Sequence, residues 1–260
     1  MSKNMIFCYS GTGNCLDLAK NIAAVLGDTD IVSMRTAPSV TDATGADRVG
    51  FVFPCYGGGA PVDFLTHARM LKIRPDAYVF AVSQSASYAG IGLSDLSRIV
   101  PLDYWTTVTH QCSCIWLFPH TLMLPMMSPE KAQQRSELLA KVIAGDVLSA
   151  KKTDREPPRN PLNAAENAAW PKIAEKKAAA FAVSDACIGC GQCAKLCPRG
   201  NIVMATGGPL FGTNCIQCLG CLQYCPKGAI SIGRITDQRE HYHNPNISAA
   251  ELMKPLIHIN

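Results

Sequence analysis

No run of lysine or arginine in this chain exceeds two residues, and the formal net charge is only +4. The electrostatic footprint of a nucleic-acid binder is therefore missing. Long hydrophobic runs are lacking as well. The most apolar stretch, Ile115 to Met127, is interrupted by Pro119, His120 and Pro125, and it falls short of the roughly 20 residues that a bilayer requires. No membrane span is expected. Met1 to Ser10 has neither the apolar length nor the cleavage pattern of a secretory signal, which points to a reducing compartment, the cytoplasm, for the 13 cysteines. Nor is there a visible array of histidines and carboxylates of the kind that carries acid–base catalysis. What is present is 260 residues of 48% apolar composition, enough for one medium domain and a small one.

From Met5 to about Ala150, short apolar runs alternate with helix-like segments, the pattern of a parallel sheet wrapped by helices. Strands are expected at Met5–Tyr9, Ile31–Ser33, Val49–Phe53, Tyr78–Val82 and Thr106–Gln111. Helices are expected at Leu16–Leu26, Pro61–Leu71, Leu93–Val100 and Pro129–Ala144. Five strands in this order suit a doubly wound α/β domain. Lys151 to Pro161 is charged and proline-rich, as linkers are, and an alanine-rich helix, roughly Asn163 to Ala180, follows. The composition then changes: Cys187 to Cys225 supplies eight of the 13 cysteines with few large apolar residues.

That segment is a tandem repeat. Cys187-x2-Cys190-x2-Cys193-x3-Cys197-Pro198 is followed by Cys215-x2-Cys218-x2-Cys221-x3-Cys225-Pro226, and Pro198-Arg199-Gly200-Asn201-Ile202 matches Pro226-Lys227-Gly228-Ala229-Ile230. Two copies related by a pseudo-twofold axis are implied. Three thiolates on one tight loop can cap three irons of a cubane, and the fourth, before a redirecting proline, reaches the other cubane. Cys197 is thus expected to ligate with Cys215, Cys218 and Cys221, and Cys225 with Cys187, Cys190 and Cys193. Gly189, Gly191 and Gly220 let backbone N–H groups approach the sulfurs. Structural zinc also uses Cys-x2-Cys units, but it needs a tetrahedral set of four per ion rather than three plus one given twice. The segment resembles the bacterial two-cluster ferredoxins over about Ser184 to Gly233, which implies two [4Fe-4S] clusters and low-potential one-electron transfer. It departs from the acidic ferredoxins: between Ser184 and Thr236, Asp185 is the only acid against Lys195, Arg199, Lys227 and Arg234. Those positive charges are expected to offset the clusters and raise their potentials.

After the first strand, Ser10-Gly11-Thr12-Gly13-Asn14-Cys15 leads straight into a helix, where hydroxyls and free N–H groups favour a phosphate. This is not the dinucleotide fingerprint, because Leu16 stands where a third glycine would, and it is not a P-loop. An ordinary strand-to-helix turn remains open on this loop alone. Two more loops follow strands that should end on the same sheet edge, Pro54-Cys55-Tyr56-Gly57-Gly58-Gly59-Ala60 and Ser83-Gln84-Ser85-Ala86-Ser87-Tyr88-Ala89-Gly90, and such edges hold the ligands of open α/β sheets. Here the sequence resembles a flavodoxin domain, over about Lys3 to Gly145. The resemblance implies that Ser10, Gly11, Thr12, Gly13, Asn14 and Cys15 hold the phosphate of FMN. It also implies that Pro54, Tyr56, Gly57 and Gly58, with Ser83, Gln84, Ser85 and Tyr88, flank the isoalloxazine. Flavodoxins usually carry Thr or Ser where this chain has Cys15, and a thiol is the poorer donor.

The whole chain looks like the flavodoxin-ferredoxin fusion proteins of anaerobes, down to the closing Tyr242-His243-Asn244-Pro245. The resemblance implies a flavodoxin-like domain at 1–150, a linker and helix at 151–183, a two-cluster domain at 184–236 and a tail at 237–260. Redox proteins are the expected partners, and a homodimer is compatible with the sequence. Cys8, Cys55, Cys112 and Cys114 are read as ordinary buried thiols, His241 and His243 as packing residues, and the Met-rich stretch to Met127 as core. Three functions stay open: electron transfer between clusters and FMN, reduction of a small organic substrate at the flavin, and a ferredoxin with a flavin-free docking module.

Overall fold

The computed structural model describes residues 4–116, 128–233, 236 and 239–260. Its first half is built from β1 (Asn4–Cys8), α1 (Asn14–Leu26), β2 (Thr29–Ser33), β3 (Arg48–Pro54), α2 (Val62–Ala68), β4 (Tyr78–Ser85), α3 (Gly92–Ser97), β5 (Tyr104–Thr109) and α4 (Pro129–Leu148). Strands β1, β3 and β4 are nearly all apolar and buried, as strands covered on both faces must be. Their alternation sorts the core into two layers. Ile6 and Cys8 face α1 and α4 with Leu18, Ile22 and Ile143, while Phe7 and Tyr9 face α2 and α3 with Phe64 and Leu96.

The second half adds α5 (Pro161–Ala178), β6 (Phe181–Val183), α6 (Gln192–Leu196), β7 (Ile202–Ala205), β8 (Gly208–Phe211), α7 (Gly220–Gln223), β9 (Ile230–Ile232), α8 (Ala249–Leu252) and β10 (Leu256–Ile259). β6 pairs with β9 and β7 with β8, both antiparallel, around a small third core of Ile202, Leu219, Leu222, Ile230 and Ile232.

The main sheet runs β10-β2-β1-β3-β4-β5. Its five parallel strands carry the 2-1-3-4-5 order of the flavodoxin-like doubly wound fold, as expected from sequence. The sixth strand was not expected. Leu256 to Ile259 leave the C-terminal tail and pair antiparallel with β2, Leu256 against Val32 and Ile259 against Thr29. β5 begins two residues before its expected start, and α4 continues to Leu148. Of the Met-rich stretch, Ile115 and Trp116 are buried as core, and 117–127 lie outside the described residues. Among the described residues no helix is long and apolar enough to cross a membrane.

Candidate functional site

The three loops that follow β1, β3 and β4 meet at the carboxyl edge of the sheet around one cavity. Ser10, Gly11, Thr12, Asn14, Cys15, Pro54, Tyr56, Gly57, Gly58, Gln84, Ser85 and Tyr88 all line it. Two expected residues do not. Gly13 sits behind the loop, where a Cβ would meet Tyr224 Oη at 2.8 Å and Asn244 Cβ at 2.9 Å; its φ of 95° makes it the left-handed turn that opens α1. Ser83 is wholly buried within β4, which points it into the sheet's packing rather than the cavity.

Further walls come from segments that carried no loop signal. Glu166 and Trp170 of α5, His110 to Cys114 after β5, and Gln217 and Leu219 of the second cysteine loop also line the cavity. Helix α5 lies close on the Tyr56 loop: a Cβ on Gly57, at φ 52°, would sit 2.1 Å from the Trp170 ring. Trp170 stacks on Trp116 at 5.9 Å, and Tyr88 donates its hydroxyl to the Glu166 carboxylate at 2.6 Å, so the aromatic residue of the β4 loop is tied to α5.

Four side chains lining this cavity hold buried polar atoms without partners: Gln84 Nε2, His110 Nε2, Gln111 Oε1 and Gln217 Oε1. Buried unsatisfied groups are costly in a native structure, so the cavity suits a ligand that carries both donors and acceptors. The Gln111 N–H donates to His110 Nδ1 at 2.8 Å, which puts the ring proton on Nε2. Burial lowers the His110 pKa to about 4, so the ring is a neutral donor. The Cys15 thiol donates to Gln84 Oε1 at 3.3 Å and burial raises its pKa. It therefore points away from service as an anion donor, leaving the first-turn N–H groups of α1 to meet a phosphate. Of the remaining thiols, Cys8 is in the core, whereas Cys55, Cys112 and Cys114 line the cavity. Burial and the nearby Glu166 charge push Cys55 up to about 12.

The cysteine repeat folds into two further cavities whose linings cross. One is lined by Cys197, Cys215, Cys218 and Cys221. The other is lined by Cys187, Cys190, Cys193 and Cys225. Each fourth cysteine thus sits with the opposite triplet, as the three-plus-one spacing predicts. Equivalent backbone donors mark the pseudo-twofold: Asn201 N–H to Cys197 Sγ at 3.2 Å and Ala229 N–H to Cys225 Sγ at 3.3 Å. The β7–β8 hairpin spans both cavities, with Ile202 and Phe211 at the first and Met204 and Pro209 at the second. Among the described residues no group of three His, Cys, Asp or Glu side chains closes on a single-ion site.

The first of these cavities adjoins the sheet-edge cavity, and Leu219 lines both. A Cβ on Gly11 would lie 2.4 Å from the Cys218 carbonyl oxygen. The tail closes over the same junction. Asn244 N–H donates to the Thr12 carbonyl at 2.8 Å, Tyr242 Oη donates to Asn14 Oδ1 at 3.0 Å, and Tyr242 N–H donates to Gln223 Oε1 at 2.6 Å. His243 stacks on Tyr224 at 4.2 Å, the packing role expected of it. Arg199 is forked onto Asp63 of α2 at 2.9 and 2.7 Å, and it also lines the cavity of the Cys197 quartet, where its charge acts against the burial that raises the Cys215 pKa. Arg234 lies outside the described residues.

Residues 186–230 match the 4Fe-4S dicluster domain. None of the curated proteins matches the chain. Among solved structures, the two-electron reduced flavodoxin of Megasphaera elsdenii is 17% identical, over 53% of this chain and 98% of its own, at a TM-score of 0.33. An azoreductase from Bacillus anthracis str. Sterne is 10% identical over 56% of this chain and 100% of its own, at 0.40. The flavodiiron protein from Giardia intestinalis is 11% identical over 58% of this chain, which spans only 37% of that protein's length, at 0.36. These scores are too low to carry the fold, which rests on the strand order. The chain joins a sheet of flavodoxin-like order to a 4Fe-4S dicluster segment at residues 186–230.

Proposed function

We propose that this chain is a cytoplasmic electron-transfer iron-sulfur flavoprotein that passes electrons between two [4Fe-4S] clusters and FMN, and so couples one-electron carriers to a two-electron one. The observation that carries the reading is the junction itself: Leu219 lines both the cavity of the Cys197, Cys215, Cys218 and Cys221 quartet and the sheet-edge cavity. When bound, the clusters supply single electrons and the flavin stores one or two, so the chemistry belongs to the cofactors while the protein sets distance and potential.

The residues fit that assignment. Cys197, Cys215, Cys218 and Cys221 would hold an inner cluster, and Cys187, Cys190, Cys193 and Cys225 an outer one. Cys190 and Ile188 are exposed, which puts the outer quartet where a redox partner can reach it. Ser10 to Cys15 would receive the FMN phosphate on the amino end of α1. His110 Nε2 and Gln84 Nε2 would donate to the isoalloxazine edge, and Gln111 and Gln217 would accept from it. Trp170 and Tyr56 would exclude water from its faces. The division we propose is a flavin domain at 1–150, a linker and helix at 151–183 whose helix α5 walls the flavin, a two-cluster domain at 184–236 and a tail at 237–260.

Anaerobically purified protein should hold close to one FMN and about eight irons per chain. Reduction through the clusters should bleach the flavin absorbance at substoichiometric reductant. Finding the iron intact and no flavin after acid extraction would leave the docking-module function instead. The Tyr88–Glu166 pair favours one second reading, a flavin-dependent reductase of a small organic substrate, because it adds a hydroxyl and a carboxylate to the lining of the same cavity. Turnover with candidate acceptors tests it.

A further inference from the structure

Arg35 follows β2 and is 5% exposed, yet among the described residues it makes no ion pair. Its guanidinium donates to two carbonyls, Leu252 at the end of α8 at 3.3 Å and Leu196 at the end of α6. Its Nε is buried without a partner. Helix carboxyl ends carry only partial negative charge, so most of a full positive charge is left in a low-dielectric interior, where burial is costly unless the charge does something. Glu251, the nearest carboxylate in sequence to those contacts, is taken by Lys20 at 2.5 Å.

The position of that charge is specific. A Cβ on Gly220 would lie 3.6 Å from Arg35 Nη2, and Gly220 stands between Cys218 and Cys221. The Leu196 carbonyl that Arg35 holds precedes Cys197. Both contacts flank ligands of the inner quartet; of the outer quartet, only Cys193 shares a helix with one of them, on α6 before Leu196.

We infer that Arg35 is a fixed charge that raises the reduction potential of the inner cluster, so that electrons delivered at the surface are drawn inward toward the flavin. The inference rests on the proposed two-cluster reading. Adding one electron to a cluster adds one negative charge, and a nearby guanidinium stabilises that product over the oxidised form. No bond is made or broken and no proton moves; the electron leaves the outer cluster and arrives at the inner one. At an effective dielectric near 20, a unit charge about 12 Å away is worth of the order of tenfold in the reduced-to-oxidised ratio, and a closer one more.

The test is an anaerobic potentiometric titration of the full chain, read by electron paramagnetic resonance, with Cys225→Ala used to assign the outer signal. In Arg35→Gln the inner ratio at the wild-type midpoint should fall about tenfold, equivalent to 59 mV for one electron, while the outer ratio moves less than about threefold. Arg35→Lys keeps the charge and redraws both hydrogen bonds, so its inner ratio should stay within about threefold of wild type. An unchanged inner potential in Arg35→Gln with full iron overturns the inference, and so does a tenfold fall in Arg35→Lys. If the glutamine variant loses its inner iron, the lysine variant decides by the same criterion. Loss of inner iron in both variants assigns Arg35 a purely structural role and also overturns it. Absence of clusters from the wild-type protein would instead sink the two-cluster reading, and absence of flavin alone would leave this titration readable.

Discussion

Gly11→Ala tests the contact between the phosphate loop and the inner cluster loop. The added methyl would lie 2.3 Å from Tyr56 Oη and 2.4 Å from the Cys218 carbonyl oxygen, against an optimal separation of roughly 3.5 Å. The two loops must part by about 1 Å. Tyr56 has little room to yield, since its ring stands edge-on to Tyr9 at 6.1 Å, and the Cys218 carbonyl is backbone in a loop fixed by its cysteines. Gly11 is not at positive φ, so the penalty is steric and free of backbone strain. Overpacking costs about 1–3 kcal/mol; with two clashes, the upper end is expected, a fall in Tm of roughly 6–12 °C for a chain of this size. Gly145→Ala is the matched control. It lies inside α4 with open space around its Cβ position and should stabilise by about 0.8 kcal/mol. Anaerobic melting, iron content and the FMN dissociation constant are the measurements. A Gly11→Ala protein that melts with wild type at full loading would show that the inner cluster loop does not rest on the phosphate loop.

Burial holds the His110 pKa at about 4 against an ordinary 6.5. The unfolded chain therefore takes up a proton that the native state resists; the contribution is complete above pH 6.5 and is lost as the pH falls toward 4, about 3 kcal/mol in all. His110→Phe should flatten the pH dependence of the urea midpoint across that window, and an unchanged slope would refute the assignment. For the cysteines, Cys197→Ala and Cys221→Ala should leave the same residual paramagnetic spectrum, because both spare the outer quartet. A Cys197→Ala spectrum that matches Cys193→Ala would mean sequential ligation. Trp170→Ala removes the ring against Gly57 and its stack on Trp116, so FMN binding should weaken about tenfold with iron retained. Equal affinity would take α5 out of the flavin wall.

Where the sequence could be read, a short-range regularity carried the information. Short apolar runs alternating with helix-like segments marked the parallel sheet, and the Cys-x2-Cys-x2-Cys-x3-Cys spacing paired Cys197 with Cys215, Cys218 and Cys221, residues that line one cavity although they are far apart in the chain. The unread parts have no local period. Trp170 and Glu166 reach the cavity because α5 crosses the Tyr56 loop, and nothing in an alanine-rich helix marks which turn will face it. β10 is four residues long with alternating burial, too short for periodicity to tell a strand from an ordered tail. Arg35 is one arginine among many in the sequence; only burial without a carboxylate sets it apart. Gly13 is expected at the phosphate only through the flavodoxin resemblance, whereas its Cα faces Tyr224 and the tail.

The two halves are joined by ion pairs and several hydrogen bonds. Arg199 on Asp63, Arg35 on the ends of α6 and α8, and Tyr242 to Asn246 on the phosphate loop are all contacts between the cysteine segment or tail and the sheet. A covalent link alone would only raise the effective concentration of one half at the other, and would leave their separation free to vary. For the proposed electron transfer, which is governed by separation, a fixed distance matters more than a high local concentration. These contacts tie the cysteine segment and the tail to α1, α2 and Arg35 after β2. The C-terminal strand completes the restraint, because β10 anchors the tail in the same sheet that carries the phosphate loop. The tail therefore serves as a strap from β2 to the loop that follows β1 and to α7.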